Sequence, residues 1–171
     1  MRNQEVARIF ATMADILAIQ GENPHRIMAY QRAAENIAAL DRPLEEVWRA
    51  GELETIPGIG KTLAGKIDEL MRAGRLEAYE KLRAQVPEGV LALLQVPDVG
   101  PKRAALFWKQ LGITSVEALE EAARAGRLRD LPGMGVKSEE KVLAGIEALK
   151  RRSGRIPLGV AWPLAVALLE E

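Results

Sequence analysis

Apolar residues recur at a helical period from the start of the chain: Val6, Ile9, Phe10, Met13, Ile16 and Leu17 fall on one face of an α-helix. The pattern stops at GENP (21–24), where Asn23 is suited to cap a new helix. Pro24 suits its first position, because an N–H missing there has no intrahelical partner to lose. A second helix is predicted through HRIMAYQRAAENIAAL (25–40). DRP (41–43) ends it, a short helix LEEVWRAG (44–51) follows, and GELETI (51–56) also reads as helical. Alanine, leucine, glutamate and arginine dominate the chain and favour helix. The expected fold class is therefore all-α, with helical bundle units and no significant sheet.

The helical pattern is punctuated three times by one motif. IPGIGKTLAGKI (56–67), VPDVGPKRAALF (96–107) and LPGMGVKSEEKV (131–142) each place an aliphatic residue, a proline, a turn residue, an aliphatic residue and a glycine ahead of a helix. The prolines Pro57, Pro97 and Pro132 are 40 and 35 residues apart, an irregular internal repeat. The first turn residue (Gly58, Asp98, Gly133) is expected at positive φ, which glycine adopts freely and aspartate more readily than most residues. The aliphatic residue after it (Ile59, Val99, Met134) is expected to tuck between two helices. The last glycine (Gly60, Gly100, Gly135) then leaves the first N–H groups of the new helix uncovered. Uncovered amides and the helix dipole together favour an anion, and a lysine beside each (Lys61, Lys102, Lys137) adds charge for it. The third copy departs most, because Glu139 stands where the others have Ala64 and Ala104.

Composition narrows the anion's identity. The 171 residues carry 24 basic and 24 acidic side chains, which excludes a polybasic binder but not a few local contacts. Hydrophobic residues make up 48% of the chain, enough for a packed core. There is no cysteine and one histidine, His25, so disulfides and His- or Cys-rich zinc sites are excluded. No apolar run reaches membrane-spanning length and no secretion signal opens the chain, so no membrane partner and a cytoplasmic location are expected. GKT (60–62) invites comparison with a phosphate-binding P-loop, but that motif needs glycine where Thr55 stands and a strand before it. A repeated anion site points to a repeating ligand. Consecutive phosphates of a nucleic-acid strand fit it, and contacts to phosphates carry no base information.

LETIPGIGKTLAGKI and LLQVPDVGPKRAALF resemble helix-hairpin-helix elements, which bind DNA backbones without sequence preference. The succession of NPHRIMAYQRAAENI, the first hairpin with KIDELMRAGRLEAYEKL, VPDVGPKRAALFWKQLGITSVEALEEA and LPGMGVKSEEKVLAGI resembles the N-terminal part of bacterial family X DNA polymerases over nearly the whole chain. The resemblance implies two units. Residues 1–84 would form a small helical domain with the first hairpin, binding the 5′-phosphate of a gapped duplex. Residues 85–171 would form a fingers-like region with the second and third hairpins, joined through QVPEG (85–89). It also implies site residues. Lys66 resembles the Schiff-base lysine of a deoxyribose-phosphate lyase, and His25, Arg26 and Tyr30 match the 5′-phosphate pocket, joined by Lys61. Gly58, Gly60, Gly100, Lys102, Arg103, Gly133, Gly135 and Lys137 would line the DNA-binding turns. Thr62 departs from relatives that carry a second pocket lysine. A Schiff base forms on a neutral amine, for which nearby cations such as Arg26 and Lys61, or partial burial, would be needed.

Two kinds of metal ion enter through the same resemblance. A monovalent cation, sodium or potassium, would sit on the backbone carbonyls of Ile56 and Ile59, and of Leu94, Val96 and Val99, next to a DNA phosphate. Magnesium belongs to the polymerase palm, and none of Asp15, Asp41, Asp68, Asp98 and Asp130 forms an Asp-x-Asp pair. The palm is expected in a remainder of the polymerase, with PLGVAWPLAVALLEE (157–171) resembling the helix that leads into it. Plainer alternatives stand beside these readings. Each turn can be only a helix stop, Lys66 a solvated lysine paired with Asp68 or Glu69, and His25 a polar residue of a first helical turn. Tyr30 can be a core residue with its hydroxyl at the rim, and Trp48, Trp108 and Trp162 read as packing residues. Two rival functions follow: a non-catalytic DNA-structure module of a nuclease or helicase, and a protein-interaction module with no role on DNA.

Overall fold

A computed structural model describes residues 1–154, and every regular element among them is helical. The α-helices are α1 (Asn3–Ile19), α2 (Pro24–Ala38), α3 (Leu44–Arg49), α4 (Lys61–Ala73), α5 (Glu77–Gln85), α6 (Glu88–Ala92), α7 (Pro101–Leu111), α8 (Val116–Arg124) and α9 (Val136–Gly154). PLGVAWPLAVALLEE and Trp162 lie outside the described residues. Among the described residues no helix is long and apolar enough to cross a membrane.

α1 organises the packing. The apolar face read from the sequence is buried at Val6, Phe10, Met13, Ile16 and Leu17, and it packs most extensively on α2. Asn23 caps α2 as expected, its Oδ1 accepting the His25 N–H at 2.8 Å, with Pro24 in the first turn. α1 also packs against α5 and against α7, so the hydrophobic core runs without a break from the first hairpin into the second. The side-chain amide of Asn3 ties the start of α1 to α3. It accepts the Leu44 N–H at 2.7 Å and donates to the Arg42 carbonyl at 2.9 Å.

GELETI is not a continuous helix. Gly51 leaves α3 at φ +72°, and the chain makes one 3-10 turn at Leu53–Thr55. Pro57 stops that turn, because the residue before a proline is driven out of helical space. Ile56 accordingly takes φ −71°, ψ 126°. The second repeat reproduces this arrangement, with a 3-10 turn at Leu93–Gln95 and Val96 at φ −75°, ψ 123° before Pro97.

α9 closes over the second repeat at short range. A Cβ added at Gly145 would lie 2.6 Å from the Pro97 carbonyl oxygen and 3.1 Å from Val96 Cγ1. Glycine is a poor residue for a helix interior, and here it permits the close approach. α8 and α9 are cross-linked at the surface, where the Glu120 carboxylate meets Arg124 at 2.8 Å and Lys150 at 2.7 Å.

Glu139 is the one buried charged residue among the described residues, with 2% of its surface exposed. Its carboxylate accepts the backbone N–H groups of Leu128 and Arg129 at 3.0 and 3.1 Å, and the Arg129 guanidinium at 2.7 and 3.0 Å. Burial alone pushes the carboxyl group up, but the hydrogen bonds from Arg129 and Leu128 outweigh it and hold the group below the usual carboxylate range. The acid at the alanine position is thus the internal fastening of the third repeat.

Two stability predictions follow from these contacts. Glu139→Ala leaves two backbone N–H groups without a partner and is expected to cost about 2 kcal/mol in a denaturant titration. Because its folded pKa is depressed, Glu139 stabilises the fold above the unfolded carboxylate value of about 4.3 and loses that effect as pH falls through the lower folded value. Glu139→Gln should therefore flatten the fall in Tm over that acidic window. Gly145→Ala inserts a methyl group against the Pro97 carbonyl and is expected to cost about 2 kcal/mol. A wild-type Tm for Gly145→Ala would place α9 farther from the second turn.

Candidate nucleic-acid interface

The three repeats share one backbone path. In each, an N–H reaches back over the turn to a carbonyl three residues earlier: Ile59 to Ile56, Val99 to Val96 and Met134 to Leu131, all at 3.0 Å. The residue inside each turn is left-handed, with φ +84° at Gly58, +72° at Asp98 and +76° at Gly133. Asp98 is the one non-glycine residue at positive φ among the described residues, as the repeat pattern required. Ile59 and Val99 are buried between helices, while Met134 is half-buried.

The helix starts are bare where the sequence placed them. Gly60 and Gly100 precede α4 and α7 in extended conformation, at φ −96° and −98°, with no side-chain cap. The first intrahelical bonds run from Ala64 to Gly60 and from Ala104 to Gly100, both 2.9 Å. The amides of Lys61, Thr62 and Leu63 in α4, and of Lys102 and Arg103 in α7, therefore lie ahead of the hydrogen-bond ladder. Pro57, Gly58, Gly60 and Lys61 are exposed, as are Pro97, Asp98, Gly100 and Lys102. Arg103 folds back across its turn, its Nη1 donating to the Asp98 carbonyl at 3.1 Å. A groove of about 820 Å³ separates this turn from the start of α2, with Pro24, Ile27 and Met28 facing Gly100, Pro101 and Lys102.

The first turn is held from behind by α2. Asn36 Nδ2 donates to the Pro57 carbonyl at 2.6 Å, and the stem of Arg32 lies against Gly58. Sequence reasoning passed over both residues. Their spacing was the available signal, since Arg32 and Asn36 lie seven and eleven positions beyond His25, on the same helical face.

The third turn differs in charge. Gly133 and Lys137 are exposed, and Gly135 is half-buried. Asp130 and Glu140 act on the Arg129 guanidinium together with Glu139, so the one arginine of this turn faces acids.

The residues matched to a 5′-phosphate pocket separate into two environments. His25 and Arg26 are exposed in the first turn of α2, with Arg26 3.5 Å from Glu22. Tyr30 instead belongs to the core, with 5% of its surface exposed and its ring 5.9 Å from that of Phe10. Lys66 is half-buried on α4. The carboxylates that could have paired with it are engaged elsewhere. Asp68 accepts the Trp48 indole N–H at 2.8 Å and Arg72 Nε at 2.9 Å, and Glu69 accepts the Glu77 N–H at 2.9 Å. The bonds from Trp48 and Arg72 hold the Asp68 carboxyl below the usual carboxylate range. Among the described residues no cluster of His, Cys, Asp or Glu side chains is placed to hold a metal ion.

Comparison with known proteins agrees with this geometry. Residues 1–76 match the family described as helix-hairpin-helix domain, and residues 90–148 match the SAM-like helix-hairpin-helix tandem. The chain is also 33% identical over 165 residues to the DNA polymerase/3′-5′ exonuclease PolX of Bacillus subtilis (strain 168). That similarity covers 96% of this chain and 28% of the relative's length. The chain is therefore built of helix-hairpin-helix units, and it is similar to the N-terminal part of PolX, of whose length it spans 28%.

Proposed function

We propose that this chain binds DNA through its sugar–phosphate backbone, without sequence preference, and serves a repair polymerase by recognising a gap and its 5′-phosphate. The observation that carries this reading is the repeated exposure of uncapped helix-leading amides at α4 and α7, each beside an exposed lysine. Such amides take phosphate oxygens directly, and the lysine adds a charge-assisted bond. His25 and Arg26, exposed at the start of α2, supply donors for the terminal phosphate. Tyr30, in the core beneath them, acts by fixing α2 on α1.

A lyase step at Lys66 is the finer part of the proposal. The Lys66 amine would attack the aldehyde carbon of a 5′-deoxyribose phosphate and lose water to give a Schiff base; loss of a C2′ proton to solvent would then break the C3′–O bond and release the 5′-phosphorylated DNA end, and water would hydrolyse the remaining sugar imine to free Lys66. Its support is that Asp68 and Glu69 are held by Trp48, Arg72 and the Glu77 amide, so neither pairs with the ammonium form and holds Lys66 in its charged, non-nucleophilic state. A monovalent cation is proposed at the hairpins on the carbonyls of Ile56, Ile59, Leu94, Val96 and Val99. The oxygens of Ile56 and Val96 each accept one N–H from within their own turn, and a carbonyl retains a second lone pair.

A gapped duplex bearing a 5′-phosphate should bind more tightly than the same duplex bearing a 5′-hydroxyl, measured by fluorescence anisotropy. Equal affinity would remove the phosphate pocket. The log–log dependence of affinity on salt should have a slope of about −0.9 for each phosphate engaged. Lys102→Ala is expected to reduce that slope by about one phosphate, and Lys137→Ala to change it least, given the acids around the third turn. Borohydride should trap a covalent adduct on a 5′-deoxyribose phosphate end, and Lys66→Ala should abolish it. An adduct that persists in Lys66→Ala would assign the chemistry to another amine.

A further inference from the structure

We infer that Arg32, on α2, is a phosphate-contacting residue of the first hairpin and supplies the second cation of that turn. The inference rests on the backbone-binding reading above and adds a residue to it. Gly58 is the left-handed residue of the turn, at φ +84°. A Cβ added there would lie 3.1 Å from Arg32 Cγ and 3.2 Å from Arg32 Cδ. The absent side chain is thus the space against which the arginine stem lies, and the guanidinium starts from the rim of the turn. One helical turn farther along α2, Asn36 Nδ2 holds the Pro57 carbonyl at 2.6 Å, so arginine and turn are fixed to one another.

Arg32 is exposed, and among the described residues no carboxylate lies within ion-pair distance of it. The first turn of α4 offers a single cation, Lys61, because Thr62 beside it is neutral. A guanidinium presents a rigid fork that matches two phosphate oxygens, which a lysine does not. The second hairpin also has an arginine at its turn, Arg103 of α7, whose Nη1 donates to the Asp98 carbonyl at 3.1 Å. In the third hairpin the nearby arginine is engaged, since Arg129 is bound to Glu139 at 2.7 Å. The ligand of Arg32 is accordingly a phosphodiester of the strand that crosses the first turn.

The test is a salt titration of the full chain on a fluorescein-labelled duplex with a one-nucleotide gap and a 5′-phosphate. Arg32→Gln is expected to weaken binding about tenfold at moderate salt and to lower the log–log slope by about 0.9. Arg32→Lys should keep the slope and recover part of the affinity, because the charge remains while the fork is lost. Both variants should melt with the wild type, since the side chain is exposed. A wild-type slope in Arg32→Gln overturns the inference while leaving backbone binding intact. Equal losses in both variants with an unchanged slope overturn it in favour of a packing role. A wild-type chain that shows no salt-dependent binding overturns this inference together with the reading on which it rests.

Discussion

After each proline of the repeat the chain must turn through one residue in left-handed conformation, and the rest of the candidate interface depends on that turn. Gly58, Asp98 and Gly133 meet the constraint. Their turn sends Ile59 and Val99 into the core and leaves the next glycine extended on the outside. The outcome is a helix that begins without a cap. Other helices of the same molecule show what a capped start looks like. At α2 the Asn23 side chain accepts from the His25 amide, and at α8 the Ser115 hydroxyl accepts from the Ala118 amide at 3.0 Å. A polar residue at position 60 or 100 could have done the same for α4 or α7. Glycine there leaves those amides for a ligand, at a cost to the isolated helix of only a few tenths of a kcal/mol relative to a good cap.

Each turn is braced by a different partner, and the bracing explains how three copies of one motif diverge in charge. The first is held by Asn36 from α2, outside the hairpin. The second is pinned under α9 at Gly145 and crossed by Arg103. The third is fastened from within by Glu139, which satisfies two backbone amides and an arginine at once. That internal carboxylate gives the third repeat rigidity and takes away the positive field that an anion would seek. In the third copy the motif joins α8 to α9, with Lys137 exposed beside it, while the uncapped starts at α4 and α7 mark the first two copies.

The sequence made local features readable and left longer-range ones dark. Helical periodicity located α1 and α2, and the cap at Asn23 followed from an asparagine standing directly before a proline. The left-handed conformation of Asp98 followed from aligning it with two glycines. All of these are decided within a few residues. The 3-10 turn at Leu53–Thr55 reads as plain helix in the sequence because composition favours helix there, whereas Pro57 and Gly51 limit it from both sides. The placement of Arg32 and Asn36 against the first turn depends on how the chain returns to α2 some twenty residues later, at Pro57, which no local pattern encodes. Tyr30 was legible only as two alternatives. Its hydrophobic ring and the bulk of Phe10 opposite decide for the core, while His25 and Arg26, a turn earlier, remain in solvent.

The zero net charge of the chain is compatible with a nucleic-acid surface because the neutralisation is local. Arg26, Arg42, Arg49, Arg72, Arg75, Arg83, Arg124 and Arg129 each have a carboxylate within ion-pair distance. Most of these pairs are exposed and contribute little to stability. Their consequence lies in the field they leave behind, since paired charges cancel over a distance shorter than the Debye length of about 8 Å. At the first two turns Lys61, Lys102 and Arg32 have no carboxylate partner among the described residues, Asp98 being the one acid inside these turns, and the amides beside them add partial positive charge. Where such unpaired cations stand beside bare helix-leading amides, as at Lys61 and Lys102, charge and hydrogen-bond donors would act on one phosphate together, so affinity and register on a backbone would come from the same few contacts.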